Sequence, residues 1–60
     1  MMNAARSYYL FRRTDSGSEY MDKHGRWTED IRKAYLYRTK DAAQVDALSY
    51  KHEQAQVGHI

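Results

Sequence analysis

Sixty residues with no cysteine and no proline, 30% of them charged and with a formal net charge of +2, bound one small domain. A chain of this length buries only about 60% of the surface its unfolded form exposes. Without cysteine, neither disulfides nor thiolate metal sites can brace it, which leaves self-association as the brace easiest to supply. No apolar run approaches the roughly 18 residues of a membrane span, and the opening MMNAARSYY lacks the apolar core of a signal peptide, so the cytoplasm is the expected compartment.

Residues 1–6, MMNAAR, show no periodic pattern and are expected to form a flexible arm ahead of a single domain over residues 7–55. Residues 7–13, SYYLFRR, are aromatic-rich and run into Thr14-Asp15-Ser16-Gly17-Ser18, so they predict a strand followed by a turn. Residues 19–23, EYMDK, predict the returning strand of a hairpin, with Tyr20 and Met21 on opposite faces. His24-Gly25-Arg26 is a second turn. Trp27-Thr28-Glu29-Asp30 then predicts a helix start, with Thr28 as cap and two carboxylates where the helix dipole favours them, running about two turns through Ile31 and Ala34.

Residues 35–38, Tyr-Leu-Tyr-Arg, are β-prone and predict a third strand, with continuation of the preceding helix as the alternative. Thr39 is a second cap, and residues 40–54 carry Ala, Gln, Leu and Lys with no glycine, which predicts a helix. At 100° per residue, Val45, Leu48, His52 and Ala55 form one stripe of that helix, and Ala43, Ala47 and Tyr50 form a weaker one on nearly the opposite side. The first stripe is expected to cover the sheet. Ala43, Ala47 and Tyr50 are then the candidate self-association surface, with a solvated alanine face as the alternative. Residues 56–60, QVGHI, contain Gly58 as a stop and are expected to fray.

The predicted fold is α+β: a small three-stranded antiparallel sheet with a short helix before its third strand and a C-terminal helix packed on one face. The expected core is Tyr9, Phe11, Met21, Trp27, Ile31, Ala34, Leu36, Val45 and Leu48. Alternation in the first strand leaves Tyr8 and Leu10 as the other possible inward pair, because aromatics stand on both faces.

Little in the sequence points to catalysis. His24, His52 and His59 have no metal-ligand spacing among them. Asp15, Ser16 and His24 supply the residue types of a hydrolase triad, but Asp15 and Ser16 are turn formers. The three glycines are isolated, so no phosphate-cradling loop is present. The expectation is a chain without enzyme activity, cofactor or metal.

The charge is uneven. Residues 1–40 hold nine Lys/Arg against five Asp/Glu, a balance of +4, while residues 41–60 hold one against three, a balance of −2. Six tyrosines, one tryptophan and one phenylalanine accompany the basic part. Arg12, Arg13, Tyr20, Arg26, Arg32 and Arg38 are therefore the candidate partner surface. Rings interleaved with arginine suit a protein interface or, alternatively, stacking of a nucleic acid strand.

From Tyr8 to Ala43 the chain resembles a recurring type of small phage or prophage protein. The features that carry the resemblance are the aromatic opening strand SYYLFRR, a second strand SEYMD, Gly25-Arg26-Trp27-Thr28, and the series Ala34, Tyr37, Thr39 and Ala43. The resemblance implies an accessory protein that binds and modulates a host protein, including components of antiviral defence. Combined with the missing braces, the sequence-based expectation is a small homodimeric adaptor or inhibitor with a protein partner; a nucleic-acid-binding regulator that uses the Arg/aromatic hairpin is the alternative.

Overall fold

A computed structural model describes residues 7–60 of the chain. The arm expected over residues 1–6 lies outside the described residues. The fold is α+β: a four-stranded antiparallel sheet with one α-helix on one of its faces. The strands are β1 (Tyr8–Thr14), β2 (Gly17–Met21), β3 (Trp27–Thr28) and β4 (Gln56–His59), in the spatial order β3-β2-β1-β4, and the helix is α1 (Lys40–Ser49).

The hairpin forms where the turn chemistry places it. Thr14 pairs with Gly17 across Asp15-Ser16, and the register continues through Arg13 and Ser18, Arg12 and Glu19, and Phe11 and Tyr20. The next turn is tied by the Asp22 carboxylate, which accepts the backbone N–H groups of His24 at 2.8 Å and Arg26 at 3.0 Å. Gly25 holds a φ of +75° there, a conformation that side chains with a β-carbon rarely adopt. These bonds, the one from Arg26 first, hold the Asp22 pKa below the usual carboxylate value.

Outside the long helix, three expected elements differ in the structure. Trp27–Thr28 is an edge strand rather than a helix start, and the helix that follows shrinks to one 3-10 turn, Ile31–Lys33. The capping residue is Asp30, whose carboxylate accepts from the Arg32 N–H and also binds the Arg32 guanidinium, while Thr28 closes a short turn by accepting from the Asp30 N–H. Residues 35–38 are neither a third strand nor helix. Ala34, just before them, forms an isolated bridge with Asp22, and Tyr37 within them forms one with Tyr8. Residues 56–60 do not fray past Gly58: β4 pairs with β1 along Tyr8–His59, Tyr9–Gly58, Leu10–Val57 and Phe11–Gln56. Gly58 acts here as a cross-strand partner rather than as a stop. The ring of Tyr9 lies over it, and a β-carbon at position 58 would fall inside the van der Waals radii of the ring atoms.

The helix begins as predicted, with the Thr39 hydroxyl accepting from the Ala42 N–H at 3.1 Å. It ends at Ser49 rather than near residue 54, and Lys51–Glu53 form a separate 3-10 turn closed by Gln54 in the left-handed conformation. The two stripes of α1 also exchange roles. Ala43 is fully buried, and Ala47 and Tyr50 pack beside it, whereas Val45 is 65% and Leu48 71% exposed. The physical reason is volume. The sheet already brings Tyr8, Leu10, Met21 and Trp27 to this side, with Tyr37 and Val57 around them. A helix approaching so bulky a surface fits with alanines, not with Val45 and Leu48. Among the described residues the fully buried hydrophobics are Leu10, Met21 and Ala43. Of the expected core, Met21 and Trp27 are retained, Ile31 is exposed, and the parity of β1 is settled in favour of Tyr8 and Leu10.

Candidate interaction surface

Alternation in β1 and β2 sorts their side chains into two faces. Tyr8, Leu10, Arg12, Glu19 and Met21 share the face that carries α1. Tyr9, Phe11, Arg13 and Tyr20 share the opposite one, following the Phe11–Tyr20 register. On that second face the rings touch: Tyr9 lies 6.1 Å from Phe11 at 59°, and 5.7 Å from Tyr20 in an edge-to-face contact at 66°. Each ring is half-buried, Arg13 is exposed at the rim, and among the described residues no α-helix packs across the face. Gly58 is what lets Tyr9 settle into this cluster.

The six candidate partner residues do not form one surface. Arg13 and Tyr20 lie on the aromatic face. Arg12 is on the other side, where its guanidinium binds Glu19 at 2.8–2.9 Å, reaches Glu53 at 3.6 Å and stacks 4.5 Å from the centroid of Trp27. Arg32 is bound to Asp30 in a two-pronged pair, which lowers the Asp30 pKa and raises that of Arg32. Arg26 is exposed in the β2–β3 turn and Arg38 is exposed ahead of α1. Two of the five arginines are therefore engaged by carboxylates of the chain itself.

Of the three candidate self-association residues, Ala43 and Tyr50 are turned to the core, and Ala47 lies at its border. Ala43 is the floor of the core, and Ala47 and Tyr50 face the same way, with Tyr50 in edge contact with Trp27 at 6.3 Å. Ala43 and Tyr50 are occupied by the chain's own sheet, whereas half-buried Ala47 also borders an outer groove between α1 and β4. Beside them, Tyr35 and Tyr37 meet edge to face at 4.8 Å, and the Tyr37 hydroxyl donates to the Asp46 carboxylate at 2.8 Å. Burial first, then that hydrogen bond and the charge behind it, push the Tyr37 pKa well above the ordinary tyrosine value.

The residue types of a triad are far apart. Asp15 and Ser16 sit in the β1–β2 turn and His24 in the β2–β3 turn, at opposite ends of β2. Among the described residues no three His, Asp or Glu side chains are placed to hold a metal ion, and no helix is long and apolar enough to cross a membrane. Sequence reasoning assigned Tyr9 and Phe11 to the core and so missed them as surface. The signal was their parity with Arg13 in a strand whose other face carries Leu10. No family model, curated protein or solved structure matches the chain.

Proposed function

We propose that the chain is a small, non-enzymatic interaction protein that binds a protein partner through the aromatic face of its sheet. A host protein is the class of partner that the resemblance to small phage accessory proteins implies. The observation that carries this reading is the contact cluster of Tyr9, Phe11 and Tyr20 on the face of the sheet opposite α1. Half-buried tyrosine and phenylalanine bring large, rigid contact area at little entropic cost and are enriched where proteins meet. The fate of the arginines supports a protein over a nucleic acid: Arg12 and Arg32 are neutralised internally, so the phosphate-binding charge is smaller than the sequence count suggests.

Affinity capture from a lysate of the native host tests the proposal through variants. A protein retained by the wild type is expected to be lost with Arg13→Glu and with Tyr20→Lys, both on the aromatic face, and kept with Lys33→Glu, which is exposed in the 3-10 turn after β3. Equal retention by all four forms would refute it. A nucleic acid reading draws on one specific feature, exposed Arg13 beside rings on which bases can stack. Labelled single strands that bind at low salt and are released steeply as salt rises would favour that reading instead.

A further inference from the structure

The sheet has two ends that differ. β3 is two residues long and offers almost no edge, whereas β4 presents four residues with one side unpaired among the described residues. The unpaired side can be assigned. The Ile60 N–H donates to the Ser7 carbonyl at 2.8 Å, so in an antiparallel ladder Gly58 and Gln56, two and four residues earlier, are the residues of β4 that exchange bonds with β1. The N–H and C=O groups of Val57 and His59 therefore point away from β1, at the open edge. The opposite alternation on β1 agrees, since Tyr8 exchanges both of its backbone bonds with Tyr37 on the other side.

Next to that edge runs the outward stripe of α1. Val45 and Leu48 are the two most exposed large hydrophobics of the helix. Together with Ala47, Ala55 and Val57 they line an apolar groove between α1 and β4, with Asp41 and Gln44 at its margin. An edge with free backbone donors and acceptors beside an apolar helix face is an association surface in two parts.

We infer that the occupant of this surface is a second copy of the chain, joined by a two-fold axis that pairs β4 with β4 of the partner and packs α1 against α1 of the partner. The surface is self-complementary in three respects. An antiparallel strand pair is what a two-fold axis perpendicular to the sheet produces, and Val57 and His59 present donors and acceptors in equal number. The same axis makes the two helices antiparallel, so the acidic first turn of one, with Asp41, lies toward the end of the other, where Lys51 follows. Their dipoles then oppose as well. Finally, the core within one chain is thin, with Leu10, Met21 and Ala43 fully buried, so covering Val45 and Leu48 adds burial that the single chain lacks. A four-residue edge falls short of the roughly 800 Å² per partner of a specific interface, so both parts are required. This inference is independent of the aromatic face, which lies on the other side of the sheet.

Sedimentation equilibrium of the full chain, with two variants, tests it. Leu48→Glu alters an exposed side chain. His59→Pro removes an N–H that bonds nothing among the described residues, at a position where an edge strand tolerates proline. It also removes the edge contact of the His59 ring with Tyr8 at 5.0 Å, which the circular dichroism control covers. The wild type is expected to sediment as a dimer at micromolar concentration, and each variant is expected to raise the dissociation constant at least about tenfold with an unchanged far-ultraviolet circular dichroism spectrum. A wild type that stays monomeric up to about 200 μM overturns the inference. So does a dimer that either variant fails to weaken, an assembly that grows beyond two chains, or a monomer whose Leu48 face captures a different protein.

Discussion

Leu10 and Leu48 are the same residue type in opposite situations, and replacing each by alanine measures the assignment of the two helix stripes. Leu10 is fully buried among Met21, Ala43 and the surrounding tyrosines. Truncating a leucine at such a site removes its transfer free energy and leaves a cavity, about 3–5 kcal/mol in total. A domain of this size has a total stability of about 3–9 kcal/mol, so Leu10→Ala is expected to unfold a large fraction of the chain at room temperature. Leu48 is 71% exposed, and its truncation should stay within about 0.5 kcal/mol under conditions dilute enough to keep the chain monomeric. Urea denaturation followed by the fluorescence of Trp27, the single tryptophan, separates the two. Equal losses, or a larger loss for Leu48→Ala, would refute the packing described here and restore Val45 and Leu48 to the sheet side.

Gly58→Val forces Tyr9 off the position it holds over the glycine; the expected cost is about 1–3 kcal/mol in urea denaturation, together with loss of the ring-current shifts among Tyr9, Phe11 and Tyr20, and an unchanged stability would contradict the close approach. Arg12→Ala removes the bond to Glu19 and the stack on Trp27, an expected loss of about 1–2 kcal/mol, whereas Arg13→Ala on the opposite face should change stability little in the same assay. The pKa of Tyr37 is raised in the folded state above its ordinary value of 10.0, so the folded chain keeps a proton that the unfolded chain releases. The stability from this group is full below pH 10 and is lost as the pH rises above it; melting temperatures measured on either side of pH 10 should show a fall that Tyr37→Phe reduces. Asp22 and Asp30 shift the other way, so their contributions are present above the usual carboxylate value of 3.8 and fade as the pH falls below it, which a parallel series in acid can follow.

What the sequence made legible was local chemistry. The Asp15-Ser16 turn, the hairpin it closes and the Thr39 cap of α1 all follow from residues adjacent in the chain, and all three are present. The parts that went astray depend on partners distant in sequence. Gly58 reads as a stop until Tyr9 is known to lie across it. The 100° periodicity of residues 40–54 marks two stripes but does not say which one meets the sheet; that choice rests on the bulk of Tyr8, Leu10, Met21 and Trp27, contributed from elsewhere. Thr28-Glu29-Asp30 resembles a helix start, yet the backbone of Trp27 and Thr28 finds better partners in Met21 and Tyr20. The candidate surface was legible in composition, since Tyr20 and Arg13 are on it. Its membership was not, because alternation puts Arg12 on the other face, where Glu19 binds it, and because Tyr9 and Phe11, read as core, face outward.

Site-specific photo-crosslinking in the native host tests most directly whether the aromatic face is the working surface. A photoreactive phenylalanine analogue placed at Tyr20 is expected to give one discrete adduct with another protein, and the same analogue at Leu48 is expected to give only the chain joined to its own copy. No adduct from position 20, or the same foreign protein captured from both positions, would contradict the account.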